Sequence, residues 1–319
     1  MKSLVSIIVP IYNVEKYIGE CLESLFSQSY SHIEYVFVND ATPDRSMNIL
    51  NSYINRYNIV DKCVVFNNSS NLGLAATRIN GIKSAHGDYL MFLDSDDTLS
   101  TNAVEALLQC AESRNADIVE SNMQFNMDSG YKILKRNKKD SVRDYLYSYI
   151  SFGAPPSLMG KLYRRGLFDN VEELFLVGRD FIEDTYATPM LYCKASVIAN
   201  IDIVTYFYRA NNMSSHSHGA KWKKIEDLKF AINRFEEIFC CNEDSFFADA
   251  IKEAKYKIKS AYYPIYGNNE RKEIIKLFPE INLYIKEKIF FERLRWWLLM
   301  NDCLFLYRVS NLIRKIFNK

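Results

Sequence analysis

The sequence predicts an α/β fold, in which a mixed, mostly parallel, Rossmann-like sheet is flanked by helices and followed by a helical C-terminal region. In the first third of the chain, short β-branched runs alternate with amphipathic helical stretches, which is the pattern of βαβ units. From residue 223 onward the pattern is helical, with Lys/Glu-rich faces and apolar stripes. We therefore expect one domain over residues 1–220 and a helical region over residues 221–319.

The first strand is predicted at residues 5–9, because a continuous apolar run is typical of a strand covered on both faces. Pro10 should end it, since proline cannot donate to a strand ladder. The next segment is predicted to be a helix over residues 15–28, because its apolar residues recur at helical spacing. The same reasoning gives strands at 35–38, 63–66 and 89–93 and helices at 44–57, 75–84 and 101–113.

Beyond residue 113 the regular alternation ends. A strand is predicted at residues 117–122, a helix at 181–192 and a strand at 197–209, whereas residues 123–179 show no clear period and should be irregular. Ligands of open α/β sheets bind beyond the carboxyl ends of the strands. The polar residues that follow the predicted strands are therefore candidate functional residues.

Composition excludes several classes of protein. With 40 basic and 39 acidic residues the net charge is +1, which argues against a chain that coats nucleic acid by charge alone. The seven cysteines form no CxxC pair, so we expect buried thiols in a reducing compartment. The first apolar run is too short for a signal peptide, and none reaches the roughly 20 residues of a spanning helix. We expect a cytoplasmic protein, soluble or peripheral on the inner face of the membrane.

Three carboxylates, those of Asp94, Asp96 and Asp97, follow the predicted strand at 89–93 directly. Their repulsion is costly unless a cation or a set of hydrogen-bond donors neutralises them. Oxygen ligands without neighbouring Cys or His suit Mg²⁺ or Mn²⁺, which also bind substrate phosphates. The alternative is a solvated turn that caps the following helix.

Four segments together resemble the inverting family 2 glycosyltransferases of the GT-A fold, of the bacterial surface-polysaccharide type. They are VSIIVPIYN (residues 5–13), YVFVNDATPD (35–44), NLGLAATRING (71–81) and GDYLMFLDSDD (87–97). Each alone is a weak signal, but their order and spacing are those of the family. The resemblance extends over about residues 3–215, and it implies a donor half at about 1–122 and an acceptor half at about 123–220.

The resemblance implies a nucleotide-sugar site, with UDP as the expected nucleotide. Asp40 would hydrogen-bond the base, although Asn39 stands where the family commonly has a second acid, and Arg78 would reach the donor. Asp96 would bind the Mg²⁺ or Mn²⁺ ion, with Asp94 and His216 or His218 as further candidate ligands. The donor-binding residues implied as a set are Pro10, Tyr12, Asn13, Asp40, Arg78, Asp94, Ser95 and Asp96.

On the acceptor side, Glu183 and Asp184 resemble the Glu-Asp motif of the family. The resemblance implies that Asp184 is the catalytic base and that Glu183 supports it. The alternative is that both residues, with Asp180, only complement the N-terminal dipole of a helix. The segment 160–165, GKLYRR, resembles a family segment that borders the acceptor.

The last stretch of the chain is basic and aromatic. Residues 286–319 contain eight Lys or Arg and three Asp or Glu, interleaved with Trp, Phe, Leu and Ile. Such helices suit the surface of an anionic membrane, and packing on the core or on a partner subunit is the alternative.

Together with the resemblance, these observations imply an inverting, metal-dependent glycosyltransferase that uses a UDP-sugar and a hydroxyl acceptor. The resemblance alone implies that it acts in polysaccharide or glycolipid synthesis. A glycan or lipid-linked acceptor is thus the expected partner, no nucleic acid is expected, and an oligomer is compatible with the sequence. Two alternatives stay open. One is a nucleotidyltransferase that makes sugar nucleotides, although residues 10–13 are not a Gly-rich phosphate loop. The other is a non-catalytic scaffold that binds a nucleotide sugar.

Overall fold

The structure is a computed structural model of the chain. It describes residues 2–210, 221–240, 245–262, 273–274, 276–281, 290–300, 306–307 and 309. The chain divides into two compact units. The first unit comprises Met1–Leu146 and Pro156–Lys224, and the second comprises Tyr147–Pro155 and Ile225–Lys319. Among the described residues, no helix is long and apolar enough to cross a membrane.

The first unit is built on a mixed sheet. Its strands are β1 (Val5–Ile11), β2 (Ile33–Asn39), β3 (Cys63–Asn67), β4 (Tyr89–Phe92), β5 (Thr98–Leu99), β6 (Ile118–Met127), β7 (Gly130–Leu134), β8 (Lys161–Arg164) and β9 (Ile198–Arg209). Their order is β3-β2-β1-β4-β8-β6-β9-β5, and β7 pairs with β6. The pairs β1–β2, β1–β4, β2–β3 and β6–β9 are parallel, and the others are antiparallel. The predicted α/β class is confirmed.

Helices separate many of these strands along the chain and follow the last of them. They are α1 (Ile18–Phe26), α2 (Ser46–Tyr57), α3 (Leu74–Ser84), α4 (Ala103–Arg114), α5 (Val142–Ile150), α6 (Glu183–Lys194), α7 (Lys221–Phe239), α8 (Ser245–Tyr262) and α9 (Phe290–Met300). The helices predicted up to residue 113 and at 181–192 are confirmed within a few residues. The apolar face of α1, which includes Ile18, Leu22 and Leu25, is fully buried, as its spacing predicts.

The prediction that Pro10 ends the first strand is wrong, because β1 continues to Ile11. The carbonyl of Ile8 accepts from the Leu93 N–H at 3.0 Å, on the β4 side. The carbonyl of Ile11 accepts from the Asp40 N–H at 3.0 Å, on the β2 side. The backbone nitrogen of Pro10 therefore points to the β4 side, where the pairing of β1 with β4 has already ended at Ile8. No partner there requires the N–H that proline lacks.

The prediction that residues 123–179 are irregular is also wrong in part, since β7, α5 and β8 lie there. β7 is largely exposed, so its side chains show no buried face that a sequence pattern could reveal. In α5, by contrast, Tyr145, Leu146, Tyr149 and Ile150 are buried at helical spacing, a signal that could have identified this helix. β8 inserts antiparallel between β4 and β6.

Close packing of α3 on the sheet yields a testable prediction. A Cβ atom at Gly81 would lie 2.5 Å from Ile8 Cγ2 and 3.1 Å from Val38 Cγ2. Gly81→Ala should therefore lower the free energy of unfolding by about 1–3 kcal/mol, because the helix must move away from the strands. Urea unfolding measures this, with Gly166→Ala as the control, since a Cβ there has nothing within 4 Å. Equal stabilities for the two variants would contradict the close approach.

Candidate functional site

The carboxyl ends of β1, β2 and β4 meet at one edge of the sheet, because these strands run parallel. Tyr12 and Asn13 follow β1, Asp40 follows β2, and the carboxylate run beginning at Asp94 follows β4. The Tyr12 ring is 37% exposed. Asn13 adopts a positive φ of 55°, and its N–H donates to Thr42 Oγ1 at 2.8 Å. This edge is where an open α/β sheet binds its ligands.

Asp40 orders the loop that leads into α3. It is 3% exposed, and Oδ1 accepts from the Leu72 N–H at 2.8 Å and from Asn68 Nδ2 at 2.7 Å. Its Oδ2 accepts from the Gly73 N–H at 3.1 Å. Both carboxylate oxygens are therefore engaged by the protein. The expectation that Asp40 contacts the nucleotide base stays a prediction. Its hydrogen bonds to the loop before α3 are seen in the structure.

Asp180 joins the loop before α6 to the start of α3. Its Oδ1 accepts from the Ala75 N–H at 3.0 Å, near the positive end of the helix dipole. Gly73 has a φ of 87°, and a Cβ there would lie 2.3 Å from Asp180 Oδ2. Only glycine fits this approach without displacing the carboxylate. From the sequence, Asp180 was expected only to complement the dipole of its own helix, whereas it caps the start of α3.

The carboxylates after β4 have different surroundings. Asp97 is 1% exposed, with Oδ2 accepting from the Tyr206 hydroxyl at 2.6 Å and Oδ1 from the Arg209 N–H at 2.7 Å. Burial, and then the charges of Asp96 and Asp94, raise the pKa of Asp97 well above its usual range. Arg209 Nε also donates to the Asp96 carbonyl at 3.0 Å. The end of β9 therefore holds this acidic turn in place.

Arg78 connects the acidic turn with the predicted base. The residue is fully buried on α3. Its Nη2 lies 2.9 Å from Asp94 Oδ1, while Nη1 lies 2.7 Å from Glu183 Oε1 and 3.1 Å from Asp184 Oδ1. Among the described residues its Nε has no hydrogen-bond partner. One guanidinium thus brings together three predicted site residues from distant parts of the chain.

The charge of Arg78 alone does not balance these three carboxylates, which are partly or fully buried. Burial, followed by the charge of Asp184, raises the pKa of Glu183, and Arg78 opposes this rise. Burial also raises the pKa of Asp184, again against the effect of Arg78. Burial lowers the pKa of Arg78, but the three carboxylates together raise it, so its charge is retained. The cluster depends on this guanidinium.

Exposure distinguishes the two acids at the start of α6. The Glu183 side chain is 10% exposed, and the Asp184 side chain is 22% exposed, close to the 24% of Asp94. A substrate can therefore reach Asp184 and Asp94 more readily than Glu183. This arrangement suits a reacting carboxylate at Asp184 beside a supporting one at Glu183.

The acidic turn fits a hard cation chemically. Asp94 and Asp96 are both half-buried at the sheet edge, and the carboxylate set contains oxygen ligands alone. After burial, the charges of Asp96 and Asp94 also raise the pKa of Asp97, and a divalent ion would neutralise this repulsion. Among the described residues, no group of three or more His, Cys, Asp or Glu side chains could hold a metal. Mg²⁺ typically binds through one or two carboxylates and completes its shell with water and phosphate.

The remaining predicted residues have different positions. Pro10 and Ser95 are buried next to this edge of the sheet, so their side chains contribute to the packing behind it. His216 and His218 lie outside the described residues. Three buried residues near the site were not predicted: Tyr206, which donates to Asp97, and the hydrogen-bonded pair Glu120 and Tyr192. Glu120 is the single charged residue of β6 and directly follows the apolar pair Ile118 and Val119, which was the available signal for it.

Comparisons with known proteins agree with this geometry. The sequence model of glycosyl transferase family 2 matches residues 6–172. The uncharacterized glycosyltransferase EpsJ of Bacillus subtilis is 34% identical over 230 residues, which cover 66% of this chain and 62% of EpsJ. A poly(ribitol-phosphate) beta-glucosyltransferase of Bacillus spizizenii is 29% identical over 215 residues, covering 66% of this chain and 33% of that protein. The match therefore spans less than two thirds of either relative.

A solved structure shows the same fold. The crystal structure of S. aureus TarS 1-349 in complex with UDP-GlcNAc has a TM-score of 0.71 and 20% sequence identity to this chain. The alignment covers 99% of this chain and 92% of the TarS chain. The GT-A fold predicted from the four segments is thereby confirmed.

Removing the Arg78 cation should destabilise the protein strongly. Arg78→Met leaves three carboxylates without their shared partner, so we expect a loss of about 3–5 kcal/mol in the free energy of unfolding at pH 7. The carboxylates would then bind protons more readily in the folded than in the unfolded state. The free energy of unfolding of the variant should therefore rise more steeply than that of wild type as the pH falls from 7 towards 5.

Urea unfolding at several pH values checks this, with Lys83→Met as the matched control. Lys83 is on the same helix, but its ion pair with Glu172 is exposed, so little change is expected. A loss that is small, or independent of pH, would contradict the role given to Arg78.

Proposed function

Because the chain belongs to glycosyltransferase family 2, we propose that it transfers a sugar with inversion from a UDP-sugar donor to a hydroxyl of a polysaccharide or glycolipid acceptor. The observation that carries this proposal is the Arg78 bridge. It joins Asp94, at the donor edge of the sheet, to Asp184, the candidate base, within one buried cluster. Donor and acceptor groups would thus meet where a carboxylate is available to accept a proton.

In the proposed reaction, Asp184 takes the proton of the acceptor hydroxyl. The acceptor oxygen attacks the anomeric carbon from the face opposite the nucleotide, the bond between that carbon and the diphosphate oxygen breaks, and UDP leaves. The anomeric configuration is inverted by this single displacement. Burial raises the pKa of Asp184 and Arg78 opposes this rise, which favours the ionised form that a base requires. Glu183 accepts from the same guanidinium and holds it in place.

We propose Asp96 as the main metal ligand, with Asp94 beside it. A bound Mg²⁺ or Mn²⁺ would neutralise the charge of the departing diphosphate. Asp97 supports the turn from below through Tyr206 and Arg209. His216 and His218 remain candidate ligands on the sequence argument alone.

The donor pocket is proposed at Pro10, Tyr12 and Asn13. The exposed ring of Tyr12 offers an apolar face for a base, and the fixed backbone of Asn13 borders it. The TarS complex contains UDP-GlcNAc in a protein of the same fold, which supports a UDP-sugar as donor. The beta-glucosyltransferase relative acts on poly(ribitol-phosphate), which supports a polymer with free hydroxyls as acceptor.

Family membership argues against the nucleotidyltransferase alternative. A non-catalytic scaffold would need a donor pocket but no base. The accessible Asp184 therefore favours an enzyme, and activity measurements separate the two.

We also propose that the second unit contacts an anionic membrane surface through α9. Phe290, Leu294 and Trp297 lie on one face of this helix and are 64%, 38% and 56% exposed. Trp296 and Leu298 of the same helix are buried, and Trp296 packs against Tyr256 with ring centroids 5.7 Å apart. The basic excess of residues 286–319 gives this region the charge that complements anionic lipid.

The catalytic assignment predicts that Asp184→Asn lowers kcat by about 10²–10⁴-fold, because the amide cannot accept the proton. Asp96→Ala should raise the concentration of Mn²⁺ needed for half-maximal transfer. The assay is UDP release from a panel of UDP-sugars with and without acceptor, over a titration of Mg²⁺ and Mn²⁺. The exposed Asp61→Asn is the control. Full transfer activity in Asp184→Asn would refute the base, and UDP binding without turnover in wild type would favour the scaffold.

The membrane assignment predicts that the protein sediments with phosphatidylcholine vesicles containing 30% phosphatidylglycerol and much less with phosphatidylcholine alone. The double variant Phe290→Ser/Trp297→Ser should bind about tenfold more weakly, because both exposed rings are removed. Tyr131→Ser removes a ring that is 66% exposed on β7 and should leave binding unchanged. Equal sedimentation of the double variant and wild type would refute the role of α9.

A further inference from the structure

Lys161 and Glu120 form a buried ion pair near Asp184, the candidate base. Lys161, the first residue of β8, stands opposite Glu120 of β6 in the strand register. Its side chain is fully buried, and Nζ lies 3.7 Å from Glu120 Oε1 and 5.4 Å from the centroid of the Tyr192 ring. We refer to Lys161, Glu120 and Tyr192 as the Lys161 cluster. Burying an ammonium group is costly, so its retention here calls for a physical reason.

The Lys161 cluster fixes the helix that carries the base. Tyr192 belongs to α6, which begins with Glu183 and Asp184. The Tyr192 hydroxyl donates to Glu120 Oε1 at 2.5 Å, and Asn200 Nδ2 donates to Glu120 Oε2 at 2.8 Å. α6 is thereby tied to β6 and β9 below it.

The same ammonium fixes the turn that contacts Asp184. Lys161 Nζ donates to the Ser157 carbonyl. The next residue, Leu158, makes a backbone hydrogen bond to the Asp184 carboxylate, which favours the ionised form of that acid. Lys161 therefore acts on the geometry of the base from two sides, through the helix and through the turn.

The positive charge of Lys161 also acts electrostatically on Asp184. The charged groups that act on Asp184 are Arg78 from α3, Asp94 from the end of β4 and Lys161 from β8, and Glu183 is its neighbour in α6. Arg136, from the segment after β7, and Glu120 from β6 act on Lys161. Burial, and then Arg136, lower the pKa of Lys161 to about 7, while Glu120 and Asp184 oppose this. In return the charge of Lys161 lowers the pKa of Asp184.

We propose that Lys161 is a positioning residue for glycosyl transfer, one that holds the turn at Ser157–Leu158 against Asp184 and supplies a second positive charge to the carboxylate cluster. The inference rests on the proposed role of Asp184 as the base. It assigns no contact between Lys161 and either substrate.

The test compares the pH dependence of kcat in wild type, Lys161→Gln and Lys161→Met. Loss of the positive charge raises the pKa of the base, so the acidic limb of the profile should move to higher pH. For a shift of one pH unit, kcat on that limb falls about tenfold and recovers at high pH. KM for the UDP-sugar should stay unchanged. Gln retains a donor for the Ser157 carbonyl, and Met retains the apolar volume of the lysine stem.

Lys194→Gln is the matched control, because Lys194 is the exposed last residue of α6. Lys161→Arg keeps the charge and should retain the acidic limb of wild type. An unmoved limb in a folded Lys161→Gln or Lys161→Met protein would overturn the proposal. Failure of both neutral variants to fold would overturn it too, in favour of a purely structural lysine. The proposed function fails separately, if wild type shows no transfer or Asp184→Asn remains fully active.

Discussion

The enclosure of one guanidinium among three carboxylates is the constraint on which this site depends. Arg78 is fully buried, so each of its ion pairs replaces contacts with water that the charges would otherwise keep. Such a cluster is a weak source of net stability, yet it allows little freedom of geometry, because any displaced carboxylate would be left buried and uncompensated. α3, the end of β4 and the start of α6 are therefore held in one arrangement.

The fold was largely predictable because its first half repeats a simple physical pattern. Four of the five residues at 5–9 are apolar, as expected of a strand that is buried on both faces, and the apolar face of α1 is visible in its spacing. At two places the hydrophobic pattern could not predict the structure. β7 is exposed and carries no periodic signal, and Pro10 is compatible with β1 only because β4 stops pairing at Ile8.

The sequence predicted candidate site residues, but it could not predict the contacts between them. The motifs place Asp94, Arg78 and Asp184 near one edge of the sheet, whereas their shared ion pairs follow from side-chain directions that no linear pattern contains. Asp40 shows the same limit. Its position after β2 was evident, but its bonds to Leu72 and Gly73 depend on how a distant loop folds back. Buried partners such as Tyr206 are likewise indistinguishable by sequence from ordinary core aromatics.

The division of the chain bears on how this protein can have been assembled. Residues 147–155 belong to the unit that otherwise begins at Ile225, so the chain passes between units three times. Within the second unit, Lys257 Nζ donates to the Ser151 carbonyl at 3.0 Å, which connects α8 to this early segment. A recombination event at a single point could not replace the second unit as a whole. The two units are thus expected to be inherited together, and changes in one must remain compatible with a short segment encoded inside the other.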